Sequence, residues 1–134
     1  MRLSGPLLDR MDITIEVMPI APAELARAPA GEASAAVAAR VKAARAAQRA
    51  RYGTDGPANN AEASLAQLQL GLEAEAATLL EVAATRLGLS SRGQVRSMRV
   101  ARTIADLAGS TMIRRAHIAE ALAFRHRMPG RVVA

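Results

Sequence analysis

The chain has 134 residues, with 18 Lys+Arg against 12 Asp+Glu, a net charge of +6 and 51% apolar content. That length holds one small domain or a piece of a larger one, and not two full domains. About a quarter of the chain is alanine, and Tyr52 and Phe124 are its only aromatics, which favours closely packed helices over a β-sandwich and excludes nucleic-acid binding by base stacking.

Residues 1–20 read as a turn at Gly5-Pro6, a short helical piece and one strand. The alternation Asp12-Ile13-Thr14-Ile15-Glu16-Val17 puts Ile13, Ile15 and Val17 on one face before Met18-Pro19 ends it. A lone strand cannot satisfy its backbone groups. Either it pairs with something outside this sequence, or it is not a strand in the isolated chain. Residues 21–33 form a linker with a turn of helix near Glu24. A long helix is predicted from Ser34 to Arg51, with Val37, Val41, Ala44 and Gln48 near one stripe, closed by Tyr52-Gly53. Gly53 to Asn60 is a loop, 61–70 holds a short helix, and 73–87 another with Ala76, Leu79, Leu80 and Ala83 at helical spacing. Ser91-Arg92-Gly93-Gln94 has the capping-box form and opens a helix to Ala108, broken by Gly109-Ser110. A last helix runs from about Arg115 to Arg127, ahead of Pro129-Gly130 and a tail. The expected architecture is mostly α: one orphan β-strand followed by a bundle of about four helices.

Charge is unevenly placed. Residues 1–33 carry a net of −2, residues 34–85 a net of 0, and residues 86–134 ten Arg against Asp106 and Glu120, a net of +8. Seventeen of the 18 cations are Arg; Arg makes forked contacts to phosphate, although a GC-rich codon bias enriches Arg and Ala as well. Without Cys there is no disulfide or thiolate chemistry. No apolar run approaches the ~20 residues of a membrane span, and Met1 to Pro6 lack a signal peptide's apolar core, so a cytoplasmic protein with no membrane partner is expected. Lys42 lies mid-helix, outside any P-loop, and His117 and His126 are nine apart with no metal-site spacing. His117 reads as a helix-start residue and His126 as a helix-end cation. No metal site and no catalytic residue of an isolated enzyme are expected.

Two constellations are sharper. Arg10, in Leu3-Ser4-Gly5-Pro6-Leu7-Leu8-Asp9-Arg10-Met11-Asp12, stands directly before the strand, a position from which a guanidinium could reach a neighbouring subunit's phosphate; the plainer alternative is a surface Arg10 paired with Asp9 or Asp12. Arg92, Arg96, Arg99 and Arg102 lie within about a third of one helix's circumference, opposite Val95, Met98, Ala101 and Ala105. Arg92 is in the first turn, where backbone N–H groups and the helix dipole favour anions. The alternative is a solvated basic face, to which Arg99 and Arg102 more naturally belong, paired with acidic neighbours.

The segment Leu3 to Ile13, together with Gly31-Glu32-Ala33-Ser34-Ala35, Arg40 to Arg45, Asn60-Ala61, Leu89-Ser90-Ser91-Arg92, Arg96 to Leu107 and His117 to Leu122, resembles magnesium-chelatase-like AAA+ ATPases of the YifB/ComM type over nearly the whole chain. The resemblance implies ring-forming, usually hexameric ATPases in which an α/β core is followed by a helical lid. On that pattern Arg10 falls on the arginine finger acting in trans and Arg92 on the sensor-2 arginine contacting the γ-phosphate, with Arg96 and Arg99 a secondary basic face. It divides the chain into a core remnant at 1–20, a linker at 21–33, the lid at 34–128 and a tail at 129–134. The family's P-loop, Mg²⁺-binding and sensor 1 segments are upstream and absent here, so ATP and Mg²⁺ are expected only in the full-length protein, whose partners would be the ATPase core and neighbouring ring subunits. Arg114 and Arg115 depart from the cap and Pro of the family's final helix. ComM-type members are linked to DNA branch migration during transformation, making DNA a candidate partner; chelatase relatives insert Mg²⁺ into a porphyrin. A competing reading is a small basic DNA-binding module using helix 91–108 or 115–127, although no side chains suited to reading bases flank the arginines. A metal-insertion role finds no ligands and ranks last.

Overall fold

A computed structural model describes residues 10–126. The segment Leu3 to Asp9, the Gly5-Pro6 turn, the end of the last helix beyond His126 and the tail at 129–134 lie outside the described residues. Among the described residues there are six helices: α1 (Pro22–Leu25), α2 (Ser34–Tyr52), α3 (Leu65–Gln69), α4 (Ala74–Leu87), α5 (Ser91–Leu107) and α6 (Arg115–His126). The count of about four for the bundle is not met; α1 and α3 are the short pieces expected near Glu24 and within 61–70.

Local chemistry fixes most of the ends. At α3, Ser64 Oγ accepts from the Gln67 amide while Gln67 Oε1 accepts from the Ser64 amide, a reciprocal cap. At α4, Gly88 takes a left-handed φ of 59°, which costs a residue without Cβ nothing, and ends the helix. At α5 the cap is Ser90 and not Ser91: Ser90 Oγ accepts from Gly93 N at 3.1 Å, so the helix begins at Ser91 itself. At α6, His117 Nδ1 accepts from the Arg114 amide at 3.0 Å. The imidazole thus satisfies the amide of the residue before the helix, the part that a Glu or Gln plays three residues after the cap in a capping box.

α5 is the central element, packed against α2, α3 and α6, while α6 also packs on α4. The core comprises Ala63, Leu68, Ala76, Leu80, Ala83, Met98, Val100, Ala101, Ile113, Ile118, Ala121 and Leu122, with Tyr52 and Phe124 half-buried against it. Five of these twelve are alanine. Small side chains let helices approach closely, but each buried methyl contributes only about 0.8 kcal/mol. Polar interactions in the interior therefore carry more weight here than in a core rich in Leu and Phe. The α3–α4 and α5–α6 connections are joined by a parallel bridge between Leu72 and Ile113, in which Ile113 N donates to Gly71 O and Glu73 N to Ile113 O.

Residues 12–17 form no strand in the described structure. Ile13, Ile15 and Val17 are exposed at 51%, 63% and 86%. The alternation has no partner edge, and the second of the two expectations for this segment describes it. Two contacts hold it to the helices: Thr14 N donates to Phe124 O at 3.1 Å, and Asp12 pairs with Arg96 at 3.2 Å. Among the described residues no helix is long and apolar enough to cross a membrane.

Candidate functional site

The first two turns of α5 form an open groove of about 360 Å³ lined by Ser91, Arg92, Val95, Arg96 and Arg99. Arg92 is exposed and makes no hydrogen bond or ion pair within the described residues. Its position in the first turn adds the unpaired backbone N–H groups and the positive end of the helix dipole to its own charge. Gly93 lies on the buried side of the same turn, where a Cβ would stand in ordinary contact, 3.4 Å, with an Arg125 nitrogen.

The four arginines predicted to share a face have different roles. Arg99 is half-buried and donates through Nε and Nη2 to the Ala63 carbonyl, at 3.2 and 2.9 Å, tying α5 to the loop before α3. Arg96 pairs with Asp12 at 3.2 Å. Of the two partners in the plainer alternative for Arg10, Asp12 is engaged by Arg96 and Asp9 lies outside the described residues; Arg10 itself is exposed. Asp12 thereby links the segment carrying Arg10 to α5 one turn from Arg92. Arg102, expected on the same solvated stripe, is instead 2% exposed and the largest fully buried side chain. It lies on the border between the two faces, and the α5–α6 connection folds over it.

Arg102 belongs to a buried polar network. Its Nε donates to Asp106 Oδ1 at 3.1 Å, Nη1 to the Thr111 carbonyl at 2.9 Å and Nη2 to the Ser110 carbonyl at 2.5 Å. Gly71 leaves room for it, since a Cβ there would stand 3.3 Å from Arg102 Nη1. Asp106, whose side chain is fully buried, also accepts two hydrogen bonds from Arg51 and one from Asn60 Nδ2 at 2.9 Å. Asn60 Nδ2 also donates to Thr103 Oγ1, and Asn60 Oδ1 accepts from Tyr52 Oη at 2.7 Å. Arg51 lies over the Tyr52 ring, 5.5 Å from its centroid. The network joins the end of α2, the loop after it, α5 and the α5–α6 connection around one carboxylate.

Burial by itself raises the Asp106 pKa, but hydrogen bonds from Arg51 and Asn60 and the charges of Arg102 and Arg51 outweigh it and hold the carboxyl below its usual range. Burial lowers the Arg102 pKa, with Asp106 opposing and Arg51 reinforcing. For Arg51 burial also pulls downward, but Asp106 and Tyr52 overcome it and the pKa rises. The opposite directions follow position, Arg102 being enclosed and Arg51 26% exposed. Both guanidiniums stay charged at physiological pH.

The pattern reading missed Arg51, Asn60 and Asp106 as a unit. One signal was legible: Asp106 is the only anion on α5 and stands four residues after Arg102, the spacing of a helical ion pair. The contributions of Arg51 and Asn60 come from 55 and 46 residues away, and no local pattern indicates them. No group of three or more His, Cys, Asp or Glu able to hold a metal ion occurs among the described residues.

A helical bundle organised on one central helix, with a basic first turn and a buried arginine–carboxylate network behind it, matches the family described as magnesium chelatase, subunit ChlI C-terminal, over residues 31–125, and the chain belongs to that family. It is 41% identical over 129 residues to the uncharacterized protein YifB of Escherichia coli, and 40% identical over 125 residues to the competence protein ComM of Haemophilus influenzae. An uncharacterized Mycobacterium bovis protein is 38% identical over 126 residues. Each comparison covers 92% of this chain and 24–25% of the relative, so the chain spans about a quarter of the length of these proteins.

Proposed function

We propose that this chain is the helical lid of a ring-forming ATPase, in which Arg92 contacts the terminal phosphate of bound ATP and Arg10 reaches the nucleotide of a neighbouring subunit. The observation carrying this reading is Arg92 itself: exposed, unpaired among the described residues, and held in the first turn of a helix whose other arginines are engaged. A guanidinium there offers a planar pair of donors to phosphate oxygens. The groove's lining of Ser91, Arg92, Val95, Arg96 and Arg99 contains no carboxylate. It therefore suits phosphate oxygens and not Mg²⁺, whose ligands would belong to an ATPase core. Arginines placed against developing phosphate charge change turnover by about 10³–10⁵ when supplied in trans.

In this arrangement the chain binds and orients, while the core supplies the chemistry. The Asp106 network keeps α5 fixed on α2 and on the α5–α6 connection, so that Arg92 moves with the whole lid. The Asp12–Arg96 pair connects this helix to the segment bearing Arg10. The larger assembly is a hexameric ring in the cytoplasm that remodels DNA, a reading supported by the competence role in the name of the Haemophilus relative.

A chimera tests the assignment: this chain replaces the matching quarter of the Escherichia coli relative, and ATP turnover is measured. Arg92→Ala lowers turnover while the unfolding temperature stays unchanged, and equal turnover removes Arg92 from the site. Arg10→Ala mixed with a P-loop-defective subunit recovers part of the activity if the finger acts in trans. The chain alone, incubated with Mg-ATP, releases no phosphate above buffer.

A further inference from the structure

The structure redistributes the positive charge that the sequence concentrates in its last third. Of the eight arginines between residues 86 and 126, Arg96 pairs with Asp12, Arg99 holds a carbonyl, Arg102 is buried on Asp106, Arg114 pairs with Glu73 and Arg125 is engaged. Arg86, Arg92 and Arg115 remain, one on each of three helices. α2 is different. It carries Arg40, Lys42, Arg45, Arg49 and Arg51 and not one carboxylate. Arg40 is taken by Glu32 and Arg51 by Asp106. Lys42, Arg45 and Arg49 have no acidic partner among the described residues; Arg45 only donates to Gln48 Oε1 at 2.8 Å.

Spacings of 3 and 4 place these three on one face of α2, in a row about 10 Å long at 1.5 Å per residue. Lys42 and Arg49 are exposed and Arg45 is half-buried. Like charges at such spacings repel, so the row works against α2 unless something negative lies along it. Only Ala44 and Gln48 of α2 are buried, and the basic row flanks them, with Lys42 and Arg49 in solvent.

We propose that the Lys42–Arg45–Arg49 face of α2 binds the phosphate backbone of nucleic acid. A regular row of cations with no interleaved aromatic suits the evenly spaced charge of a backbone, read without base contacts. An interfacial membrane helix needs bulky apolar anchors beside its cations, and Val37 and Val41 are the only exposed large apolar residues of α2. The assignment rests on the reading that the larger assembly acts on DNA, and it is separable from the nucleotide role of Arg92, which lies on a different helix.

Fluorescence anisotropy of the whole chain with a labelled mixed-sequence DNA duplex tests this, since three backbone contacts give a slope of about −2.7 in log affinity against log salt, or a loss of about 40-fold between 50 and 200 mM. The variant Lys42→Gln/Arg45→Gln/Arg49→Gln is expected to lose that slope and at least that affinity at low salt, with a melting temperature no lower than that of the parent chain, since the repulsion along the row is removed. The control Arg27→Gln/Arg86→Gln/Arg115→Gln removes the same charge from scattered exposed sites and is expected to retain both. Equal losses in the two variants would overturn the proposal, because net charge alone would then explain binding. So would no binding at 50 mM salt, or tighter stripe-dependent binding to polyglutamate or to phosphatidylserine vesicles than to DNA.

Discussion

Replacing Asp106 with Ala tests the physical account of the fold where it is most exposed to error. The substitution removes the one carboxylate that faces both Arg102 and Arg51, yet leaves Arg102 at 2% exposure with its remaining hydrogen bonds to the Ser110 and Thr111 carbonyls. Those carbonyls satisfy donors but carry no compensating charge. Removing one partner of a buried ion pair costs about 3–5 kcal/mol. At about 4 °C per kcal/mol for a helical unit of this size, the melting temperature falls by about 12–20 °C. Arg51, 26% exposed, turns to solvent and adds little to that cost. Far-UV circular dichroism at 222 nm through thermal and urea unfolding measures it. The double variant Arg102→Met/Asp106→Leu replaces the pair with apolar groups of similar length and is expected to recover most of the loss, because neither member remains as an unpaired buried charge. A loss below about 1 kcal/mol for Asp106→Ala would refute the reasoning, since it would mean that Arg102 reaches water without the structure opening. A double variant as unstable as the single would refute it from the other side.

Three further outcomes follow from the same contacts. The Asp106 pKa is lower in the folded than in the unfolded state, so its stabilising contribution is fully present above the unfolded value near 3.9 and is lost as pH falls through the folded-state value; melting curves taken between pH 5 and 2 should show an acid-induced loss of stability that is smaller in Asp106→Asn. Ser90→Ala is expected to cost about 0.5–2 kcal/mol and Ser91→Ala less than about 0.5, because only Ser90 caps α5, and urea titration distinguishes them. The partly exposed Asp12–Arg96 pair is expected to give a coupling of about 0.2–1 kcal/mol in a double-mutant cycle, declining with salt.

The helices were legible in the sequence because their apolar positions recur at helical spacing and glycines mark several of their ends. Gly53 closes α2 and Gly88 closes α4. The strand at 12–17 was not, because alternation states a preference for a pleated edge and only a partner satisfies it. The cap at α5 was misplaced by one residue because Ser90 and Ser91 are both serine, and Gln94 fits the box only from Ser91; the Gly93 amide, three residues after Ser90, decided it. In the candidate site, Arg92 stands in the first turn where helical spacing put it, without a partner among the described residues. Arg102 is not. A position three residues on from Arg99 lies near the edge of the stripe, and only the folding of residues 110–113 over it determines that it is buried. The contact of Asp12 with Arg96 likewise depends on how the chain before α1 lies across α5, which no local pattern specifies.

The measurement that tests the central claim most directly is ATP turnover by the Escherichia coli relative carrying this chain as its lid, with Arg92 intact and as Arg92→Ala, beside the melting curve of each isolated chain. The account predicts a large fall in turnover with unfolding free energy changed by less than about 0.5 kcal/mol, as for an exposed residue without partners. Unchanged turnover with an unchanged fold would contradict it, and would leave the first turn of α5 a solvated basic surface.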